Sequence, residues 1–159
     1  MISRQKIFVG VLLLAIIATT VDALTPVRKC GNGKSLPLSV QVNDCNELPC
    51  DFWKGTNTHM AIQFVATKNL MSSIRSKVHV TTMGMELPQG LQEEQSNVCK
   101  NLMFGAYCPL YKEEDVVYHL TMSVQEALPE VPVRVEVSLI DETDDEVIAC
   151  FITDGRVKK

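Results

Sequence analysis

The sequence predicts an all-β protein built as an antiparallel β-sandwich. Several short segments alternate apolar and polar residues with a period of two, which is typical of strands with one buried and one wet face. These segments are rich in Val and Ile, which suit a pleated sheet, and turn residues separate them. No segment has the periodicity of a helix of three turns, so a chain of 159 residues favours one sandwich domain.

The first segment predicts a secretory signal peptide over residues 1–23. Arg4 and Lys6 precede an apolar run of twelve residues, and Val21-Asp22-Ala23 places small residues where signal peptidase cleaves. A membrane anchor is the alternative, but a spanning helix needs about 20 apolar residues. We therefore expect a domain of residues 24–159 that is secreted to the extracellular space, with the lysosomal lumen as the alternative site.

Six alternating segments predict the strands in chain order. Their apolar positions, segment by segment, are Leu38, Val40 and Val42; Met60, Ile62, Phe64 and Ala66; Val78 and Val80; Tyr118, Leu120, Met122 and Val124; Val131, Val133, Val135, Val137 and Leu139; and Ile148, Cys150 and Ile152. Turn signals separate them at Lys54-Gly55, Met83-Gly84, Leu128-Pro129 and residues 141–145. Because side chains alternate between faces, these apolar sets predict the buried faces of the sheets.

Residues 87–110 show no alternation and have two interpretations. The stretch mixes apolar residues with Pro, Gly and two cysteines. A loop folded over the end of the sandwich is the interpretation that composition favours. The rim of a pocket between the sheets is the alternative.

Composition excludes several classes of protein. The hydrophobic fraction of 46% is too high for a disordered chain. The full chain has 15 basic and 19 acidic residues; removing Arg4, Lys6 and Asp22 leaves 13 and 18, a net charge of −5. This acidic balance argues against a nucleic-acid partner.

Six cysteines predict an oxidised domain with no free thiol. They are Cys30, Cys45, Cys50, Cys99, Cys108 and Cys150. Six cysteines allow about 15 connectivities, and spacing alone does not choose among them. Two pairs are close in sequence, and if both close locally, the first and last cysteines must join. The absence of a Cys-x-x-Cys motif disfavours a metal site.

No catalytic motif is present, so we expect neither an enzyme nor a cofactor. There is no Gly-x-Ser-x-Gly, and His59 and His119 lie on polar strand faces where we expect them to be solvated. The acidic runs at residues 113–115 and 141–146 do not match an EF-hand, so calcium is disfavoured. Trp53 follows Cys50 too closely for the Cys…Trp…Cys core of an antibody domain.

A set of motifs across nearly the whole of residues 24–159 resembles the Niemann-Pick C2 proteins of the MD-2-related lipid-recognition family. The motifs are Val40-x-Val42-x-x-Cys45, Pro49-Cys50-x-x-x-Lys54-Gly55, Ile62-x-Phe64, Met83-Gly84, Cys99-Lys100, Cys108-Pro109-Leu110, Tyr118, Leu128-Pro129, Val135-Glu136-x-x-Leu139-x-Asp141 and Cys150. Six cysteines in this order and spacing make the resemblance specific.

The resemblance implies an immunoglobulin-like antiparallel β-sandwich of about seven strands with an inter-sheet lipid pocket. It implies the disulfides Cys30–Cys150, Cys45–Cys50 and Cys99–Cys108. The family's pocket positions fall on Val42, Phe52, Met60, Phe64, Leu87, Pro88, Val124, Leu128, Pro129, Val135 and Val137. All are apolar, as a pocket for a neutral lipid requires, although ordinary core packing is the competing interpretation.

The implied function is that of a secreted, monomeric lipid carrier that performs no chemistry. A cholesterol-like sterol is the leading ligand and a fatty acid or apolar chemical signal is second, because Val137 and Leu128 replace larger family residues. Recognition of microbial lipids is the alternative function. Lys100 is the candidate for docking to an acidic membrane or a membrane lipid-transporter partner, against the more common role of a solvated surface lysine.

Overall fold

The computed structural model describes residues 23–31 and 33–159. The predicted signal peptide, apart from Ala23, lies outside these residues. The strands are β1 Arg28–Lys29, β2 Ser39–Val42, β3 Cys50–Trp53, β4 Asn57–Val65, β5 Ile74–Thr82, β6 Met85–Glu86, β7 Asp115–Ser123, β8 Pro132–Asp141 and β9 Glu146–Lys158. A single helical turn, α1 Glu93–Ser96, and a 3₁₀ turn, Cys99–Asn101, lie between β6 and β7. No helix in the described part of the chain has the length and hydropathy needed to cross a membrane.

Two sheets form the predicted β-sandwich. The larger has the order β1-β9-β8-β5-β6, with β3 also paired with β9, and the smaller has the order β2-β4-β7. β1 and β3 share one edge of β9, which is long enough to pair with both. β3 runs parallel to β9, which departs from the expected all-antiparallel pairing because these strands come from opposite ends of the chain and need no hairpin.

The core lies between the sheets and is built mostly from the residues that the alternation predicts. The prediction is wrong for Leu38, which is exposed, and Val78 and Val131 are only half-buried. β4 and β7 pair in register over nine residues each, from Asn57↔Ser123 to Val65↔Asp115. Their inward side chains are completely or almost completely buried, and so are those of β8. These strands confirm that a period of two identifies the apolar face of a sheet with one solvated side.

A β-bulge at Ile148 changes which residues of β9 face the core. The pairing of β9 with β8 shifts by one residue between Leu139 and Ile140. An extra residue reverses every later side chain, so the prediction that Ile148, Cys150 and Ile152 share the core face is wrong: Cys150 and Ile152 pair with Ser138 and Glu136 on the outer face. Beyond the bulge the inward residues are Ala149, Phe151, Thr153, Gly155 and Val157.

The turn between β5 and β6 explains the Met83-Gly84 signal. Both residues have positive φ, 48° and 80°, which is the backbone of the tight two-residue hairpins that follow the strand twist. Gly tolerates this conformation without a steric cost. The turn sends the chain back along β5 towards Leu87, whose N–H donates to the carbonyl of Val80.

Most of the segment 87–110 covers the end of the sandwich, as the favoured interpretation expects. The N–H of Val98 donates to the carbonyl of Ile74 at the start of β5. Tyr118 on β7 places its hydroxyl 2.7 Å from Ser76 Oγ on β5 and donates to the carbonyl of Gln95, also at 2.7 Å. Burial raises the pKa of Tyr118 to about 12, although Ser76 opposes this. The neutral phenol therefore joins both sheets to the α1 segment.

Three disulfides join the six cysteines, and all six lie in the described part of the chain. They are Cys30–Cys150, Cys45–Cys50 and Cys99–Cys108, the same pairs that the resemblance implies. Cys150 lies opposite Ser138 on the outer face of β8–β9, so its bridge to Cys30 holds the N-terminal segment against the outside of the larger sheet.

Candidate functional site

A narrow apolar cavity lies between the two sheets at one end of the sandwich. Its volume is about 10 Å³, which is room for about one water molecule. Eight apolar residues and one polar residue line it: Phe52, Val80, Gln89, Met122, Val124, Leu128, Val133, Val135 and Val157. The sheets are therefore in near contact here.

Strand ends bring these side chains together. Val80 lies near the end of β5, Met122 near the end of β7, and Val133 near the start of β8. Their strands alternate, so each of these residues points inward with its neighbours on the same face. Three lining residues, Gln89, Val124 and Leu128, lie outside the strands. Val124 directly follows β7 and is still held by backbone hydrogen bonds to residues 55 and 56, whereas Gln89 and Leu128 close one side of the cavity with chain that no sheet ladder holds.

The ring of Phe52 reaches the cavity because residue 155 is a glycine. A Cβ at Gly155 would lie 2.2 Å from Phe52 Cε2 and 3.0 Å from the carbonyl oxygen of Cys50. β3 and β9 pair Cys50 with Gly155, so the ring crosses the neighbouring strand where no side chain stands. A glycine inside a strand is a sequence signal for such a close approach.

Gln89 is the polar residue of the cavity and is buried, with 8% of its surface exposed. Its Nε2 donates to the backbone carbonyl of Ser123 at the end of β7. Its other polar atom, Oε1, is buried and has no hydrogen-bond partner among the described residues. The start of segment 87–110 thus contributes to the cavity, as the rim interpretation expects, while its remainder covers the sandwich.

The structure brings some predicted pocket residues to the cavity and places others elsewhere. Phe52, Val124, Leu128 and Val135 line it. Val42, Met60, Phe64 and Val137 are buried in the core between the sheets. Leu87 is half-buried, and Pro88 and Pro129 are exposed.

Sequence reasoning missed five lining residues as site residues. They are Val80, Gln89, Met122, Val133 and Val157. The inward phase of the alternation had already placed Val80, Met122 and Val133 in the core. The bulge hid the inward phase of Val157. The one sequence signal at Gln89 is that a polar residue stands where the family that the chain resembles has an apolar rim residue, which did not predict that it lines the cavity.

Lys100 is exposed and lies far from the cavity. Lys100 is two residues after Val98, whose N–H donates a hydrogen bond to the carbonyl of Ile74 at the start of β5. Val80, which lines the cavity, is near the other end of the same strand. Six residues of strand correspond to about 20 Å. The predicted docking residue and the cavity therefore occupy opposite ends of the sandwich.

The acidic run after β8 surrounds a lysine. Lys68 Nζ lies 3.0 Å from Asp141 and 3.3 Å from Glu146, and also bonds to Asp144. Burial raises the pKa of Asp141, but the N–H of Thr143 and the Lys68 ammonium outweigh it, so the net pKa lies below its usual value. Lys68 thus occupies the position that a cation would need.

His59 and His119 stack on the outer face of the smaller sheet. Their ring centroids are 5.3 Å apart. Burial and then the charge of His59 lower the pKa of His119. Among the described residues, the cluster with metal-ligand side chains is Cys30, Cys150 and Glu136, where the two sulfurs are bonded to each other and are not thiolate ligands.

Comparisons with known proteins agree with this architecture. The family model described as the ML domain matches residues 24–157. The "NPC intracellular cholesterol transporter 2" of Sus scrofa is 28% identical over 140 residues, which cover 88% of this chain and 89% of that protein.

Two solved structures share the fold. A Niemann-Pick type C2 protein from Japanese carpenter ant has a TM-score of 0.69 and 21% identity, covering 84% of this chain and 99% of the other. Chicken MD-1 complexed with lipid IVa has a TM-score of 0.53 and 15% identity, covering 82% and 87%. Because one family model spans almost the whole of residues 24–159, the chain belongs to the ML domain family and is an NPC2-like member of it.

Proposed function

We propose that this protein is an exported carrier that binds one sterol-like lipid in the cavity between its sheets. The observation that carries the proposal is the cavity itself, whose lining is apolar at eight of nine positions. An apolar lining with one polar group is typical of sites that bind small apolar ligands in one orientation. The cholesterol transporter named among the relatives supports a sterol as the first candidate.

The cavity must enlarge to admit such a ligand. Its volume of about 10 Å³ holds far less than a sterol, so the ligand has to displace side chains. The segments carrying Leu128 and Gln89 are the walls that can move with the least loss of sheet hydrogen bonds. The bound state would therefore keep both sheets and rearrange their connections.

Burial of apolar surface supplies the binding free energy, and no covalent step is needed. Removing about 400 Å² of ligand surface from water contributes roughly 10 kcal/mol. Loss of ligand freedom costs about 4–15 kcal/mol, and opening the cavity adds to that cost. The balance is a moderate affinity, which suits reversible transfer.

An acidic protein is a poor match for anionic microbial lipids. Beyond the predicted cleavage site the net charge is −5, and among the described residues no Lys, Arg or His lines the cavity. A phosphate-bearing lipid requires cationic donors at its headgroup. This observation favours a neutral ligand over the alternative recognition function.

Binding of the fluorescent sterol dehydroergosterol to two matched variants tests the proposal. Val124→Phe places a ring at the cavity, one residue beyond the end of β7. Val116→Phe makes the same change on the inward face near the start of β7, about 26 Å away. Both residues are buried, and overpacking should cost each variant about 1–3 kcal/mol of stability. We expect stoichiometric binding by the parent protein and by Val116→Phe, and loss of binding in Val124→Phe.

Equal binding by both variants would place the ligand elsewhere, and no binding by the parent protein would contradict the sterol proposal.

A separate proposal concerns Lys100, which we infer docks the carrier to acidic membranes. Lys100→Glu should then slow sterol transfer to vesicles containing phosphatidylserine while leaving equilibrium binding unchanged. An unaltered transfer rate would show that Lys100 is an ordinary surface residue.

A further inference from the structure

The Gln89 side chain presents a hydrogen-bond acceptor that no described residue uses. The residue is more than nine-tenths buried and lines the cavity. Its Oε1 has no partner among the described residues. Buried polar groups are nearly always hydrogen-bonded, and leaving one unpaired costs stability. An acceptor kept in this state therefore requires an explanation.

The orientation of the amide is decided by its other end. The backbone carbonyl of Ser123 can only accept a hydrogen bond, so the amide group next to it must be the Nε2 donor. Rotating the amide by 180° would place Oε1 against the carbonyl oxygen of Ser123 and leave the NH₂ group without an acceptor. Oε1 is consequently the atom left for whatever occupies the cavity, and it can only accept.

We propose that Gln89 Oε1 selects ligands that carry a hydroxyl group, and accepts a hydrogen bond from it. The remaining lining is apolar, so this oxygen is the polar contact that would orient the ligand. A sterol or a long-chain alcohol supplies the donor. An ionised fatty acid instead brings negative charge against an acceptor oxygen, and an ether or hydrocarbon brings no donor.

This inference rests on the proposed function, since it assumes that the cavity opens to hold a lipid. It goes further because it chooses between the two ligand classes that an apolar lining admits. An ordered water molecule would also satisfy Oε1, and the cavity has room for about one. In that case the hydroxyl of a ligand should not affect its affinity.

Competition against bound dehydroergosterol tests the inference with two pairs of probes. The first pair is cholesterol and its 3-O-methyl ether, and the second is 1-hexadecanol and hexadecanoate at pH 7. We expect the hydroxylated member of each pair to compete about tenfold better, the size of one hydrogen bond to an otherwise unpaired acceptor. This comparison uses the parent protein and depends on no variant.

Two variants then assign the preference to the side chain. Gln89→Met removes the amide with little change of shape. Losing the hydrogen bond to Ser123 should lower stability, and removing the unpaired acceptor should raise it. Because the two effects oppose each other, we expect a melting temperature close to that of the parent. Gln92→Met makes the same change at an exposed position three residues away. The preference should disappear in Gln89→Met and persist in Gln92→Met.

The possible results separate the two proposals. Binding of every probe without preference for the hydroxyl, or a preference that survives in Gln89→Met, would overturn the role of Gln89 and leave the carrier function standing. Failure of the parent protein to bind dehydroergosterol would instead contradict the proposed function as a sterol carrier.

Discussion

Removing the Cys30–Cys150 disulfide should destabilise the protein far more than removing Cys45–Cys50. Each change replaces both cysteines of one bridge with serine. All four residues are buried, with at most 5% of their surface exposed, so the two variants lose similar packing. The bridges differ in the length of chain they close, 120 residues against 5.

Loop closure in the unfolded chain sets the expected difference. In the chain-entropy relation the stabilisation grows as 1.5RT times the logarithm of loop length, which is about 4.9 kcal/mol for the long loop and about 2.1 kcal/mol for the short one at 25 °C. Similar packing losses cancel in the comparison. The variant lacking Cys30–Cys150 should therefore be less stable than the other by about 2.8 kcal/mol.

Guanidinium unfolding followed by circular dichroism at 25 °C measures this difference. The midpoint should fall further for the long-loop variant, and its m-value should rise because the unfolded chain is released from a large constraint. If the two variants agree within about 1 kcal/mol, native packing and not loop closure governs both bridges, and the reasoning fails.

Three further changes test individual contacts. Tyr118→Phe should lower stability by about 1–2 kcal/mol, because Ser76 Oγ and the Gln95 carbonyl each lose a hydrogen bond; an unchanged melting temperature would show that the phenol does not join the sheets. Lys68→Met should lower stability at pH 7, measured by urea unfolding, since the buried Asp141 carboxylate loses its ammonium partner. The folded pKa of Asp141 is depressed, so this stabilisation exists above its unfolded value of 3.8 and the two proteins should converge as pH falls below it. The folded pKa of His119 is also depressed, so protonation of the unfolded chain should reduce stability as pH falls through 6.5. His119→Gln should weaken that decline in melting temperature between pH 7 and 5, and an identical decline would assign it to other groups.

The amino-acid sequence by itself determined the sandwich and most of its core. Alternation placed Met60, Phe64 and Tyr118 on inward faces because a strand's two faces follow directly from neighbouring residues, without reference to the rest of the chain. The Met83-Gly84 turn is equally local. The cysteine pattern restricted the disulfides, and the family resemblance supplied their pairing.

Only the tertiary structure decided where the cavity lies and what lines it. The bulge at Ile148 reverses the inward phase of β9. The parallel pairing of β3 with β9 places the ring of Phe52 over Gly155. The Nε2 of Gln89 donates to the carbonyl of Ser123. The positions of Phe52 and Gln89 depend on residues tens of positions away in the chain, and the bulge depends on how two complete strands pair across a hairpin. The period of the apolar pattern and the strand propensity of each residue depend only on neighbours in the sequence. Whether a buried acceptor is paired depends on which donors distant segments of the chain bring to it.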